Sequence, residues 1–171
     1  MNTNIYISGK LKKIIPSSLI DTQENILLSD FNKWNATVFY VDHKKCLLIT
    51  NSKTKYSVII SRITVSDFKN LTSTFIKSLY EQLYADDISI NIELLEKQVG
   101  ILKFHKTNND KSVIGIQNYI LYYIDDWKYE FGNIDNWDFK DINCRINSIP
   151  YKQIDYSYPK EKMKELIDRS V

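Results

Sequence analysis

Glycine is scarce in this chain, with four residues in 171, and proline and cysteine are scarcer still at three and two. Isolated glycines cannot make the G-x-x-x-x-G-K-[ST] loop that cradles nucleotide phosphates, which counts against a nucleotide-type phosphate loop. Cys46 and Cys144 lie far apart with no further ligand at metal spacing; they read as reduced thiols rather than a disulfide or half of a zinc site. His43 and His105 are equally isolated. No metal site is expected, and no motif calls for a cofactor. No apolar run approaches the ~18 residues needed to span a bilayer. The opening MNTNIYISGKLKK lacks the apolar core of a secretory signal. The expectation is a cytoplasmic protein with no membrane partner. Excess charge is missing too: 23 Lys and Arg against 21 Asp and Glu give a net charge of +2, far from the balance of a dedicated nucleic-acid binder. Nucleic acid is left only local basic patches, the best being Lys10, Lys12 and Lys13.

What is present is globular: 43% hydrophobic and 26% charged residues. The length predicts one domain over residues 1–171, with residues 138–171 as an irregular segment and a terminal helix closing over the core. Abundant Ile, Asn, Lys and Tyr read as the mark of a nucleotide-biased genome. A short strand surrounds Ile5 and Ile7. Residues 17–33 give mixed signals, with one apolar turn at Ile26 to Leu28. Residues 36–41, 46–50 and 56–60 are β-prone and separated by short polar links, which predicts hairpins and an antiparallel meander, with His43 at a tip. Phe68, Leu71, Phe75, Leu79 and Leu83 repeat at helical spacing with Ser66 or Thr72 as a cap. A second helix through Ile92, Leu95 and Val99 is capped near Asp86, Asp87 or Ser89 and stopped by Gly100. The fold class is therefore α+β, an antiparallel β-meander with helices packed on one face and a C-terminal irregular or helical closure.

The chain is organised around residues 103–124, KFHKTNNDKSVIGIQNYILYYI. A strand carrying Leu102 and Phe104 runs into Thr107, Asn108, Asn109 and Asp110, which supply turn chemistry and an N-cap. Val113, Ile116, Ile120 and Ile124 then mark a helix with one face to the core. A helix N-terminus favours anions, so Lys106, Asn108, Asn109, Lys111 and Ser112 form the candidate anion site. A cap needs only one oxygen, and the plainer reading, with Asp110 capping and the lysines solvated, outweighs it. Beyond that helix, Asp125, Asp126, Glu130, Asp135, Asp138 and Asp141 meet only Lys128 and Lys140, interleaved with Trp127, Phe131, Trp137 and Phe139. These four aromatics are the candidate partner-binding surface or, on the favoured reading, the pins of an irregular lid. Asp125 and Asp126 lack a third ligand for a cation.

The pattern F-x-K-T-N-N-D-K-S-V-I-G, formed by Phe104, Lys106, Thr107, Asn108, Asn109, Asp110, Lys111, Ser112, Val113, Ile114 and Gly115, resembles a family of bacterial proteins defined only as a domain of unknown function. Trp34-x-Ala36, the strand ending at Asn51, the Asp67-Phe68-Lys69-Asn70-Leu71 step, Asn147-x-x-Pro150 and Tyr158-Pro159 extend the resemblance over nearly the whole chain. It implies an intracellular bacterial protein, with some members beside or fused to mobile-element domains, and no assigned activity. The family often has Arg where this chain has Lys111, which keeps the charge and loses the bidentate fork.

Three functions compete. The leading one is a non-enzymatic module binding an unidentified protein partner. The alternatives are a small nuclease or phosphate-handling enzyme using the loop, with His105 and Lys106 as its weak catalytic candidates, and a nucleic-acid-binding protein. Strand alternation puts His105 and Lys106 on opposite faces, which counts against the enzyme.

Overall fold

The computed structural model describes residues 1–23 and 28–170; Ile26, and Leu27 beside it, fall outside the described residues. Five strands, β1 (Asn2–Ile7), β2 (Lys33–Val41), β3 (Lys44–Asn51), β4 (Ser57–Ile60) and β5 (Ile101–Lys106), form one sheet in the order β4-β3-β2-β1-β5. β2, β3 and β4 are the expected antiparallel meander. Its first turn is tighter than the four polar residues suggest. β3 starts at Lys44, and Asp42 and His43, with φ of 47° and 59°, make a two-residue left-handed turn whose twist matches the strands. β1 lies between β2 and β5 and runs parallel to both. Hydrophobic periodicity could not report that, because it registers burial and not the pairing partner.

The helices are α1 (Gly9–Lys12), α2 (Leu71–Ala85), α3 (Ile92–Val99), α4 (Lys111–Phe131), α5 (Phe139–Ile146) and α6 (Pro159–Ser170). With the meander they make the α+β class, and they extend it in one respect: they cover both faces of the sheet rather than one. On the first face Trp34, Leu47, Ile49 and Val58 pack with Phe75 and Leu79 of α2, Leu95 of α3 and Met163 of α6. On the second, Phe39, Leu48 and Ile59 meet Ile116, Ile120 and Ile124 of α4 and Ile142 and Ile146 of α5. The cause is in the strands. Cys46 to Ile49 and Val58 to Ile60 are apolar without interruption, the composition of strands buried on both sides.

Local chemistry sets the helix starts. Asp110 accepts from Ser112 N at 3.0 Å and Val113 N at 3.2 Å, capping α4 as expected. α3 is capped by Asn91 rather than by Asp86, Asp87 or Ser89. A capping box of Thr64 and Asp67, not Ser66 or Thr72, opens the 3-10 turn that leads into α2. Residues 139–146, where Ile142 and Ile146 suggest a short helical or extended piece, are helical because Asp138 caps them through Asp141 N at 3.1 Å.

α5 also closes the outer edge of the sheet. Asn147 accepts from Ser57 N at 2.8 Å and donates to Ser57 O at 2.9 Å, and Asn143, one turn earlier, accepts from Ile59 N at 2.9 Å. Two carboxamides thus stand where a sixth strand would pair and blunt an edge otherwise open to other chains. Buried amides do similar work elsewhere. Asn51 donates to Asp30 O at 3.1 Å and accepts from Thr54 N at 2.9 Å, and Asn32 ties Thr3 Oγ1 to Gln98 O at 2.8 Å each.

Tyr56 ends the turn before β4, fully buried, and donates to Asp86 Oδ2 at 2.6 Å. Burial, then the Asp86 carboxylate, holds its phenol far above the ordinary range. An unfolded chain ionises the same group near pH 10. The folded pKa is raised, so the stability from neutral Tyr56 is intact below about pH 10 and declines as pH rises further. Tyr56→Phe is expected to lower Tm at pH 7 and to flatten its decline above pH 10. Parallel alkaline limbs for the two proteins in a Tm-against-pH series would count against this role.

Candidate functional site

Adjacent parallel strands β1 and β5 end side by side, Ile7 opposite Lys106. The chain leaving β1 enters α1, whose Leu11 is buried in the first core, whereas the chain leaving β5 enters α4, whose apolar side packs in the second. Connections that depart to opposite faces leave a gap between two strand ends, the switch point where open sheets place ligands. A crevice of about 370 Å³ lies there, between residues 8–10, residues 35–37 of β2, and Thr107, Asn109, Ile114, Asn118 and Leu121.

The loop of residues 106–112 forms part of this rim, but its candidate residues divide. Asn108 Oδ1 accepts from Asn35 Nδ2 at 2.8 Å, and Asn35 accepts from Ser52 Oγ at 2.9 Å, so the oxygen of Asn108 is engaged by β2. Ser112 donates to Asp110 Oδ1 at 2.8 Å and accepts from Lys55 Nζ at 2.7 Å. Lys55, 4% exposed and at a φ of 63°, also donates to Ser52 O. Burial pulls its ammonium below the ordinary lysine range, opposed by the nearby Asp110 carboxylate. The chain Lys55, Ser112, Asp110 therefore fastens α4 to the β3–β4 turn and uses both hydrogen-bonding capacities of the Ser112 hydroxyl. Lys106 and Lys111 are exposed and make no ion pair among the described residues, and Asn109, left-handed at φ 55°, borders the crevice. The structure thus does not gather the five anion candidates at one point.

His105 is 2% exposed, with its ring 5.9 Å from that of Tyr6, its direct neighbour across β1 and β5; Lys106 is exposed at the end of the strand. Among the described residues no group of three or more His, Cys, Asp or Glu is placed to hold a metal ion, and no helix is long and apolar enough to cross a membrane.

The aromatic candidates sit mostly inside. Trp137 is 7% exposed, its ring stacked 5.6 Å from Phe139 and edge-on to Phe131, and its Nε1 donates to Gly132 O at 3.2 Å. Phe131, Phe139 and Trp127 are half-buried against the second core. The residues left in solvent are tyrosines that the sequence reading passed over: Tyr119, Tyr122 and Tyr129, exposed by 44%, 66% and 92%. Their phase on α4 marks them, since the core stripe of Ile116, Ile120 and Ile124 leaves Tyr122 and Tyr129 diametrically outside. Lys55 had no such signal, because a lysine in a polar turn looks solvated.

The fold and site define a class: an α+β protein on a mixed five-stranded sheet, with a crevice at a strand switch point and a tyrosine-bearing helix face. Residues 4–162 match the family described as domain of unknown function DUF6933, and the chain belongs to that family. No curated protein and no solved structure matches it.

Proposed function

We propose that the chain is a non-enzymatic protein-binding module, and that its contact surface is the solvent face of the second half of α4. What supports this reading is the exposure of Tyr122 and Tyr129 among the equally exposed Asp125, Asp126 and Glu130. Tyrosine gives a binding surface large, rigid contact area at little entropic cost. On that half of the helix three carboxylates, Asp125, Asp126 and Glu130, meet one lysine, Lys128, a local charge of −2 in a chain whose net charge is +2; Asp135 and Asp141, beyond it, are paired with Arg62 and Arg145. A partner of matching chemistry is a basic polypeptide segment, attracted by charge and anchored by the two rings. Trp137, Phe131 and Phe139 serve from beneath, holding the loop after α4 against the core.

The test is retention of copurifying protein by immobilised wild-type chain and by a Tyr122→Ser/Tyr129→Ser variant, followed by native mass spectrometry. The double variant is expected to retain about tenfold less of a basic partner, with unchanged Tm because both positions are exposed. Added salt should weaken retention by the wild type. Equal retention by both proteins refutes the assignment of this face.

A further inference from the structure

We infer that the crevice at the ends of β1 and β5 is a binding site for the monophosphate ester of a small hydroxyl-rich molecule, the class of sugar phosphates and nucleoside monophosphates. The inference is independent of the protein-binding reading, because the crevice lies on the flank of α4 nearest β1 and not on its tyrosine face.

Position gives the first argument. The crevice lies outside the carboxyl ends of two parallel strands whose connections leave to opposite faces, and its volume of about 370 Å³ falls within the range of roughly 300–1,000 Å³ for small-molecule sites. Chemistry gives the second. No lining residue carries a carboxylate, and Lys10 is the one charged group in the wall. Among the described residues Lys10 Nζ makes no ion pair or hydrogen bond, and neither do the Tyr6 hydroxyl or the Asn109 and Asn118 carboxamides, so all four are available to a ligand. A cation with hydroxyl and carboxamide groups and no competing anion suits a phosphate carried on a polyol. Ile114 and Leu121 supply an apolar strip for the body of the ligand.

The preorganisation of the walls is the third argument. Asn35, Thr37 and Gln117 are buried and already bonded: Asn35 to Asn108, Thr37 Oγ1 to Ser8 Oγ at 2.9 Å, and Gln117 Nε2 to Asn35 O at 3.0 Å. They hold the shape, and the free groups at the rim meet the ligand. The N-terminus of α4 contributes little charge, since Asp110 already takes the N–H groups of Ser112 and Val113. Charge recognition therefore falls to Lys10, and the lysines of the sequence loop, Lys106 and Lys111, stand aside.

The experiment is a 1H–15N NMR titration of the whole chain with ribose 5-phosphate and with AMP, alongside ribose and inorganic phosphate. Shifts are expected at residues 8–10, Thr107, Asn109 and Asn118 with at least one ester at millimolar concentration. Ribose and inorganic phosphate alone should bind about tenfold more weakly or worse. Lys10→Met should weaken ester binding about tenfold with unchanged Tm, and Lys12→Met should leave it intact. No shift at these residues with either ester overturns the proposal. So does full reproduction of the shifts by inorganic phosphate, which would mark an adventitious ion only, and so does ester binding by Lys10→Met as tight as by wild type.

Discussion

Asn147→Ala is expected to lower the unfolding free energy by roughly 2–5 kcal/mol, because it leaves two buried backbone groups without partners at ~1–3 kcal/mol each. Both are on Ser57, which is fully buried; its N–H now donates to Asn147 Oδ1 at 2.8 Å and its carbonyl accepts from Asn147 Nδ2 at 2.9 Å. Asn147 is itself fully buried, so water has no ready route to replace the carboxamide. Asn143→Ala removes one such bond, to Ile59 N, and should cost about half as much. Urea denaturation of both variants with exposed Asn118→Ala as control gives the ranking: Asn147 largest, Asn143 intermediate, Asn118 within about 0.5 kcal/mol of wild type. The uncovered β4 edge adds a second readout, since an unpaired edge strand invites association. Concentration-dependent light scattering near the midpoint should rise for Asn147→Ala and stay flat for the control. A loss below about 1 kcal/mol would mean that α5 does not guard this edge.

This asparagine pair also shows what the sequence could and could not convey. The stripe of Ile116, Ile120 and Ile124, the capping oxygen of Asp110, the meander and the stop at Gly100 were all legible, because each is a local rule acting over a few residues. The asparagines were read as genome bias and turn formers. Six of them, Asn4, Asn32, Asn35, Asn51, Asn143 and Asn147, are instead buried, and five of the six have side chains bonded across the fold. A carboxamide suits a backbone because it offers one donor side and one acceptor side, as a peptide does, but which backbone it meets depends on contacts up to 90 residues away in sequence. The parallel pairing of β1 with β5 spans a similar distance. The crevice was illegible for the same reason: Lys10 and Asn109 each looked like solvated surface, and only the topology brings them to one gap. In the acidic aromatic segment the composition was legible, and so, on the favoured reading, was the inward packing of its tryptophans and phenylalanines; the outward tyrosine was not. Trp137 turned inward and Tyr129 outward, although both are large amphipathic rings.

Gly100→Ala and Gly115→Ala should change stability in opposite directions. Gly100 follows α3 with φ +59° and ψ −133°, a conformation open to glycine and costly for L side chains, by about 1–3 kcal/mol. A Cβ added there would stand 1.8 Å from Met1 O and 2.5 Å from Met1 C, so backbone must move. The backbone in question leads directly into β1: Met1 O accepts from Ile101 N at 3.3 Å just before the β1–β5 pairing begins at Asn2. Strain and lost pairing together are expected to cost about 2–4 kcal/mol, a fall in Tm of roughly 5–15 °C for a chain of this size. Hydrogen exchange should locate the damage, with protection lost first at Ile101 and Leu102 and retained in β3. Gly115 lies inside α4, where an added Cβ meets nothing nearer than Gln153 Nε2 at 3.8 Å, an ordinary contact. Alanine there removes backbone freedom from the unfolded chain and should stabilise by about 0.5–1 kcal/mol. A stabilising Gly100→Ala would mean that β1 does not pack against the end of α3 as described, and the parallel pairing that creates the crevice would fall with it.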